Sequence, residues 1–430
     1  MRRDAQAPLF RVWMKREGVR SASLDLATFG TRGRGCTALR DIAPGEVLVS
    51  LPRAAAMDLG TLTQVPVPPA LASAECWLSL PWFAQLALWV LAEEAKGPAS
   101  RWAAYIELLP LEGRALDTPY HWPDADLAAL RYEPIAEGAA EQRALFRSLH
   151  AAVVRSAAGS GLTLDAFACA CEAVLSRAFP TAGLAERARG TGDGGGGGGG
   201  GGGLLGALAS GLATATGDAR APLLDAESHY AMLPAVDSLN HRSGSTGVFS
   251  YDTANAILEL RTAEAVPAGS QAFLEYGKKG NDELLLLYGF VEPDNPYDEA
   301  ASAGLSLWLR AAHPPTRALA IDAWEQRLAA IDAAGLSLDG GALSAAGAHP
   351  ALLRAAAIAC GSEGAACAAL AAFCRARARE LPTRQETRAA SGSAARLATV
   401  TAFAARRKVT LRAAEAALRR AADALRGRNR

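Results

Sequence analysis

Three short segments of the chain carry side chains that could recognise a polar ligand or move a proton. They are Arg32–Ala38, Asp237–His241 and the stretch that runs from Leu274 to Phe290. The first contains two glycines, which allow the main chain to approach a ligand closely. In the second, the amide of Asn240 offers both a hydrogen-bond donor and an acceptor. In the third, the hydroxyls of Tyr276 and Tyr288 can orient a reacting group or assist a proton transfer.

Each of these features has a structural alternative when it is considered alone. The glycine turn could close an ordinary hairpin, and His241 could be a structural histidine. Tyr276 and Tyr288 could be core residues whose hydroxyls are hydrogen-bonded. The functional interpretation therefore depends on the three segments occurring together and in this order.

The elements that must position these segments are short strands and one short helix. Alternating apolar residues in Cys36–Pro52 predict a β-hairpin that is entered through the glycine turn. A second hairpin is predicted for Val248–Tyr251 with Ala256–Arg261, and a strand for Gln271–Tyr276. The apolar residues of Asn281–Tyr288 predict a short helix that ends at the second tyrosine.

Helical spacing of apolar residues dominates the rest of the chain. It predicts helices between about residues 80 and 180, the last over Leu162–Phe179 with Arg177 near its end. Beyond Tyr297 the composition shifts to Ala, Arg and Leu, which predicts a second, helical domain from about residue 300. The ten consecutive glycines Gly194–Gly203 predict a flexible surface insertion, because glycine loses the most entropy on ordering. A phosphate-binding loop would need a preceding strand, spaced glycines and a specific Lys or Asp, and none is present.

Composition narrows the classes of partner. Lys and Arg together number 44, as do Asp and Glu, so we expect no bulk attraction to nucleic acid or to an anionic membrane. The seven cysteines form no C-x-x-C pair, which argues against a disulfide framework or a metal site and suits a reducing compartment. No apolar run approaches the roughly 20 residues of a membrane span. No signal or transit segment is visible in the first residues.

The three segments, in this order, resemble the SET-domain family, and specifically its Rubisco large-subunit lysine methyltransferase-like branch. That branch has a glycine turn before R-D-I…G-E, a D-x-x-N-H segment and a closing pattern Y-G…N-x-E-L-L-x-x-Y-G-F, and all of these are present here. Three accessory motifs also match, and they are Ser100–Pro110, Thr118–Trp122 and Ser176–Phe179. The resemblance covers about residues 8 to 300 and extends more weakly over the helical C-terminus.

The resemblance implies an α+β fold in which a SET domain forms short β-sheets around a knotted core. This domain would span residues 8–300, with a helical insertion at about 80–180 and a disordered Gly-rich insertion at about 187–226. An all-α C-terminal domain would follow over residues 301–430, and it would be similar to the substrate-binding domain of the Rubisco methyltransferase branch.

The resemblance also implies the transfer of a methyl group from S-adenosyl-L-methionine to a lysine of a non-histone protein. Tyr288 and Tyr276 would be the catalytic residues, in the channel where the acceptor amine meets the methyl group. The implied cofactor-binding residues are Arg32, Gly33, Arg34, Arg177, Asp237, Asn240, His241 and Tyr276, and no metal is implied. The partner would be a lysine-containing protein segment, without nucleic acid or membrane, and the chain would act as a monomer.

Two alternatives stay open at this point. One member of the branch methylates a histidine of actin, and the motifs do not separate lysine from histidine acceptors. The other alternative is a SET-like scaffold without catalysis, although such a scaffold has no physical need for Tyr288 and Asn240 together. Arg32 and Arg34 depart from the branch, because cations are not expected beside a cationic cofactor. The sequence leaves the compartment, chloroplast or cytoplasm, and the protein substrate undetermined.

Overall fold

The computed structural model describes residues 2–30, 33–157, 161–181, 230–390 and 393–428. Arg32, Gly194–Gly203 and the Gly-rich insertion expected at about 187–226 lie outside the described residues. The chain divides into two compact units. The first comprises Met1–Leu116 with Glu141–Lys278, and the second comprises Asp117–Ala140 with Lys279–Arg430. The domain bounds 8–300 and 301–430 follow the resemblance to the family and differ in kind from these compact units. They stay predictions.

The described strands of the first unit form three small sheets. Their bounds are β1 Arg2–Arg3, β2 Leu24–Thr28, β3 Arg34–Ala38, β4 Val47–Pro52, β5 Met57–Asp58, β6 Ala178–Pro180, β7 Tyr230–Met232, β8 Asn240–His241, β9 Gly247–Asp252, β10 Ile257–Thr262 and β11 Gln271–Leu274. The strand orders are β1-β2-β3-β11-β8, β4-β10-β9 and β5-β7-β6. The pair of β8 with β11 is parallel, whereas the neighbouring pair of β11 with β3 is antiparallel.

The first hairpin differs from the one predicted. Cys36–Pro52 contains strand residues as expected, but β3 pairs with β2 and β11, and β4 pairs with β10. The glycine turn instead closes the β2–β3 hairpin, in which the Phe29 amide donates to the Gly33 carbonyl at 2.8 Å. Alternation identifies a strand but not its partner, which non-local contacts select. The hairpin of β9 with β10 is antiparallel, as predicted.

Helices fill much of the remaining chain up to residue 175. Their bounds are α1 Ala7–Arg16, α2 Ala74–Ser79, α3 Trp82–Ala95, α4 Ala103–Ile106, α5 Asp124–Ala129, α6 Glu133–Ser156 and α7 Leu164–Leu175. Helix α3 is apolar on nearly every side and packs against α7 in the core of the first unit, where most residues of both helices are buried.

The second unit is mainly helical. Its further helices are α8 Asn281–Tyr288, α9 Leu305–Ala312, α10 Pro314–Arg317, α11 Ile321–Ala333, α12 Pro350–Cys360, α13 Glu363–Glu380, α14 Arg384–Ala390 and α15 Ala394–Arg428. Its core includes Leu305, Leu352, Leu370, Phe373, Phe403 and Leu411, all of them buried.

The prediction of an all-α C-terminal region is wrong in one respect, because this region also contains short strands. Strands β13, Ala342–Ser344, and β14, Gly347–Ala348, pair with each other, and β13 also pairs with β12, Glu299–Ala301. These strands are two or three residues long and rich in Ala and Gly, so they are too short to show an alternation that a sequence pattern could detect.

Among the described residues, no group of three His, Cys, Asp or Glu side chains could hold a metal ion. No single described helix is long and apolar enough to cross a membrane. Helices α12 and α13 reach that length and composition only as a pair, and they are bent by 107° relative to each other.

Candidate active site

Strand β11 lies between two of the polar segments identified from the sequence. On one side Ala272 faces Cys36 of β3, and on the other side Phe273 faces Asn240 of β8. The glycine turn with β3 and the Asp237–His241 segment are therefore held on the two sides of a single strand, although they are far apart in the sequence.

The glycine turn brings the main chain of β3 against the side chain of Asn240. Gly33 has a φ of +69°, in the left-handed region that favours glycine. Gly35 is required for a different reason, because a Cβ at this position would stand 2.5 Å from the side-chain nitrogens of both Asn240 and Gln271. The two amides therefore converge on the main chain at Gly35, and the amide nitrogen of Gln271 is buried without a hydrogen-bond partner among the described residues.

The side chain of Arg34 makes two hydrogen bonds within the first unit. Its Nε donates to the carboxylate of Asp4 at 2.8 Å, and its Nη1 donates to the carbonyl of Leu108 at 2.8 Å. Because the ion pair with Asp4 neutralises the guanidinium, the objection to a cation at this turn does not hold for Arg34.

Asp237 lies in one turn of 3₁₀-helix, Val236–Ser238, which follows Ala235 at a φ of +74°. Asp237 is 5% exposed. Its Oδ2 accepts the hydroxyl proton of Tyr105 at 2.6 Å, and its Oδ1 is buried without a hydrogen-bond partner among the described residues. Burial raises the pKa of Asp237 to about 6, although the positive charge of Arg177 opposes this shift. Such a carboxylate oxygen can be satisfied by a donor from a bound ligand.

Arg177 does not lie on a helix, which corrects the prediction of a helix that continues to Phe179. Helix α7 ends at Leu175, where the hydroxyl of Ser176 donates to a carbonyl of the last turn at 2.8 Å. The Nη1 of Arg177 donates to the main-chain carbonyl of Asp237 at 2.6 Å, and its Nε is buried without a partner in the described part of the chain. Arg177 is thus attached to the Asp237–His241 segment and retains a donor for an anion.

His241 and Tyr276 are coupled through main chain and ring. The Nδ1 of His241 accepts a hydrogen bond from the Tyr276 amide at 3.0 Å, and the two ring centroids lie 5.1 Å apart. Because Nδ1 is an acceptor in this contact, the neutral ring carries its proton on Nε2. His241 therefore holds the main chain at Tyr276 in place.

The hydroxyl of Tyr276 donates to the main-chain carbonyl of Leu239 at 2.7 Å. Burial raises the pKa of Tyr276 to about 12, so the hydroxyl remains protonated at neutral pH. With its proton donated to Leu239, the oxygen can accept a hydrogen bond from a ligand but cannot serve as a base at that pH.

Tyr288 is the last residue of α8, in the second unit. Gly289 follows at a φ of +74°, and a Cβ there would stand 2.8 Å from the carbonyl oxygen of Asp117. The glycine of this motif is therefore required both by its conformation and by the close approach of the chain. The rings of Tyr288 and Phe290 lie 6.1 Å apart at the turn.

A buried polar cluster fixes the start of α8. The side chain of Asn281 donates to the Glu292 carbonyl at 3.2 Å and accepts from the Glu292 amide at 2.8 Å. The main-chain amide of Asn281 donates to the carboxylate of Asp298 at 3.1 Å. Arg407 of α15, which is 1% exposed, pairs with Asp282 and lies 3.5 Å from Asp298. The asparagine of the motif thus serves the fold, and α15 supplies a buried cation to the helix that carries Tyr288.

The structure places most of the predicted site residues in the first unit. These are Gly33, Arg34, Arg177, Asp237, Asn240, His241 and Tyr276. Tyr288 lies in the second unit, and Arg32 lies outside the described residues. Sequence reasoning did not select Gly35, Gln271 or Tyr105 as site residues. Gly35 could have been found as the second glycine of the turn and Tyr105 as part of an accessory motif, whereas Gln271 carries no local signal.

Comparisons with curated proteins identify methyltransferases as relatives, although no family model matches the chain. Over 75 residues the chain is 44% identical to the ribosomal lysine N-methyltransferase set10 of Schizosaccharomyces pombe. This match covers 17% of this chain and 14% of that protein. Over 319 residues it is 26% identical to the actin-histidine N-methyltransferase of Drosophila melanogaster, which covers 71% of this chain and 52% of that protein. The chain thus spans about half the length of the second relative and a smaller share of the first.

Solved structures of similar fold carry methyl-transfer ligands. The SET domain of LSMT bound to lysine and AdoHcy matches with a TM-score of 0.63 at 17% identity, over 96% of this chain and 91% of that one. Rubisco LSMT bound to AdoMet matches with a TM-score of 0.62 at 17% identity, over 97% and 92%. The predicted class, small sheets with a large helical content and a helical C-terminal region, is confirmed. The chain therefore has the SET-domain fold of the LSMT structures, as its sequence motifs predicted.

Proposed function

We propose that the chain is an S-adenosyl-L-methionine-dependent protein-lysine N-methyltransferase that acts on a non-histone protein. The observation that carries the proposal is the convergence of the Gly35 main chain, Asn240 and Arg177 around the Asp237–His241 segment. Two curated relatives are methyltransferases, and two structures of similar fold were solved with AdoHcy or AdoMet, which supports this cofactor. In this proposal the chain acts as a monomer on a protein segment, which residues 301–430 help to bind.

The residues present fit such a cofactor, which brings a carboxylate, an amine, an adenine and, when bound, the methyl group of a sulfonium. The buried Nε of Arg177 is suited to the carboxylate. The amide of Asn240 is suited to an adenine edge, and the main chain at Gly33–Gly35 can lie against a ligand. The buried Oδ1 of Asp237 is suited to a donor such as the amine.

The acceptor lysine must be neutral to attack. A free lysine amine has a pKa near 10.4, and burial beside a cation lowers it. The oxygen of Tyr276, whose proton is donated to Leu239, would accept from the amine and so orient its lone pair. We assign Tyr288 to orient the same amine or to help remove its proton. Because the reaction is an in-line displacement at carbon, positioning supplies much of the rate.

A histidine acceptor is the second candidate, since the chain is 26% identical over 71% of its length to the actin-histidine enzyme. The two acceptors differ in their dependence on pH. A histidine with an ordinary pKa near 6.5 is already neutral at pH 7.5, whereas a lysine is not. We therefore expect a lysine acceptor to give a rate that still rises between about pH 7.5 and 9, and a histidine acceptor to give a plateau.

The first test is calorimetric titration of the chain with S-adenosyl-L-methionine. No binding would contradict both enzyme proposals and leave the non-catalytic scaffold. Incubation of a cell lysate with the chain and methyl-labelled cofactor, followed by mass spectrometry, would then identify the acceptor. Two synthetic peptides that differ only in a Lys or His acceptor would separate the two candidates by their pH profiles.

The role of Tyr288 is tested by Tyr288→Phe. We expect methyl transfer to fall at least a hundredfold, within the range of general acid–base contributions, while the cofactor Kd stays nearly unchanged. Tyr297→Phe, a half-buried tyrosine of the same unit, is the matched control and should retain activity. Equal losses of cofactor binding and of transfer in Tyr288→Phe would contradict the assigned role.

A further inference from the structure

A fully buried hydrogen bond ties the Asp237–His241 segment to helix α4. The hydroxyl of Tyr105, which is 0% exposed, donates to Oδ2 of Asp237 at 2.6 Å, across 132 residues of sequence. Burial and the nearby carboxylate raise the pKa of Tyr105 well above its usual value. The phenol therefore keeps its proton and acts only as a donor to Asp237.

The ring of Tyr105 is held by neighbouring aromatic residues. Trp13 of α1 stacks on it with centroids 6.2 Å apart, and Phe10 stacks on Trp13 at 5.5 Å. The indole nitrogen of Trp13 donates to the carbonyl of Arg101 at 2.7 Å, just before α4. A phenol packed in this way has little freedom, so its hydroxyl marks a fixed point for the carboxylate.

We propose that Tyr105 is a positioning residue, which fixes the carboxylate of Asp237 and thereby the segment that carries Asn240, His241 and the Tyr276 contact. The proposal rests on the proposed function. The same short segment accepts hydrogen bonds from three directions: Tyr105 at the Asp237 side chain, Arg177 at the Asp237 carbonyl and Tyr276 at the Leu239 carbonyl. Of these three donors, Tyr105 is the one that holds the Asp237 side chain.

Groups from several elements act electrostatically on Asp237. Arg177, the Tyr105 hydroxyl and the neighbouring Ser238 favour its charged form, whereas burial disfavours it. Cys36 and Tyr276 also lie close enough to interact, but both have a pKa of about 12 and stay neutral near pH 7. Loss of the Tyr105 hydroxyl therefore removes one of the groups that hold the pKa of Asp237 down, and this pKa rises from about 6 toward neutrality.

The experiment is Tyr105→Phe, which keeps the ring and deletes the donor. The Kd of S-adenosyl-L-methionine is measured by calorimetry from pH 5.5 to 8.5 for both proteins. In the wild type we expect affinity to weaken below about pH 6. In Tyr105→Phe this acid limb should move up by about one pH unit, a loss on the order of tenfold near pH 6 that is partly recovered at pH 8.5.

Tyr132→Phe is the matched control, because the buried hydroxyl of Tyr132 also donates to an aspartate, Asp282, at 2.9 Å. It should lower the melting temperature without moving the acid limb. In an Asp237→Asn background, Tyr105→Phe should produce no further pH shift. An unchanged acid limb in Tyr105→Phe, or an equal loss at every pH, would overturn the inference. A wild type that does not bind the cofactor would overturn the proposed function and this inference with it.

Discussion

Gly35 lies so close to Asn240 that a Cβ on residue 35 would stand 2.5 Å from the side-chain nitrogen of Asn240. The two residues belong to β3 and β8, which flank β11 in one sheet. The absent side chain at Gly35 is therefore what allows the Asn240 amide to occupy its position. Gln271 lies at the same distance from this point, so the site leaves no space for even one methyl group.

Gly35→Ala should displace the amides of Asn240 and Gln271 and weaken cofactor binding. The φ of Gly35 is not in the left-handed region, so the effect is steric and involves no backbone strain. We expect the Kd of S-adenosyl-L-methionine to rise at least tenfold, with overpacking costing about 1–3 kcal/mol of stability. Calorimetry and urea denaturation measure the two effects.

Gly45→Ala is a suitable control for Gly35→Ala, because Gly45 has a φ of +81° and open space around its Cβ position. It should cost stability of about 1 kcal/mol and leave the Kd unchanged. Similar Kd values for Gly35→Ala and the wild type would show that Asn240 does not depend on this close approach.

Asp237→Asn should stabilise the free protein at neutral pH and weaken cofactor binding. The pKa of Asp237 rises from an ordinary 3.8 to about 6 on folding, so this group favours the folded state only while it is protonated. Its contribution is fully present below pH 3.8 and is lost as the pH rises through about 6. Asparagine resembles the protonated form at every pH, so the gain in stability should grow to at most ~3 kcal/mol by pH 8.

Urea denaturation of Asp237→Asn and the wild type at pH 4.5 and pH 8 measures this difference. A gain that is the same at both pH values would show that ionisation of Asp237 is not its cause. The expected combination, higher stability with weaker binding, is typical of a residue selected for a site at the expense of the fold.

The sequence predicted the strands and helices better than their contacts. Asn281–Tyr288 is helical over the predicted range, because its apolar residues and the following Gly289 both signal a short helix and its end. The predicted pairing of two strands within Cys36–Pro52 is wrong, because strand pairing depends on distant residues such as those of β11. Arg177 was placed on a helix because the apolar pattern continues through Phe179, whereas the helix ends at Leu175.

For the site, sequence motifs identified the residues but not which of them stabilise the fold and which can contact a ligand. Asn281 was part of a matching motif, and its hydrogen bonds to Glu292 show that it closes a loop. The charge of Arg34 was expected to be a difficulty, but Asp4 neutralises it from 30 positions away. The donor from Tyr105 to Asp237 spans 132 residues, and no local pattern encodes such a contact.

Arg407→Met should destabilise the second unit and impair catalysis through α8. It would remove the buried cation that lies against Asp282 and Asp298, so that among the described residues Asp298 keeps one cation, Arg406, 3.4 Å away. Removal of one partner from a buried ion pair costs about 3–5 kcal/mol. We expect a loss of this size in urea denaturation and a lower kcat, because Asp282 belongs to the helix that ends at Tyr288.

Arg412→Met on the exposed side of α15 is the control and should change stability by less than about 0.5 kcal/mol. In Arg407→Met, further substitution of Asp282→Asn and Asp298→Asn should restore part of the lost stability, because the two carboxylates that lost Arg407 are then replaced by neutral amides. If the triple variant is no more stable than Arg407→Met, packing rather than charge is the main contribution of Arg407.

Replacement of residues 181–229 by Asn-Gly should leave the first unit folded and able to bind the cofactor. Pro180 of β6 and Tyr230 of β7 are directly paired in an antiparallel register, so a two-residue turn joins them without moving either strand. Tyr230 is held independently by stacking on Trp82, with centroids 3.8 Å apart. We expect the melting temperature to change by only a few degrees and the Kd by less than about threefold.

A matched variant with Ala-Ala as the linker should be less stable than the Asn-Gly variant, because the tight turn needs a positive φ at both central residues. If both linkers lower the melting temperature strongly, the replaced segment contributes to the stability of the first unit. If only cofactor affinity falls, the replaced segment contributes to cofactor binding. Arg177 would then be the first site residue affected, because it directly precedes β6.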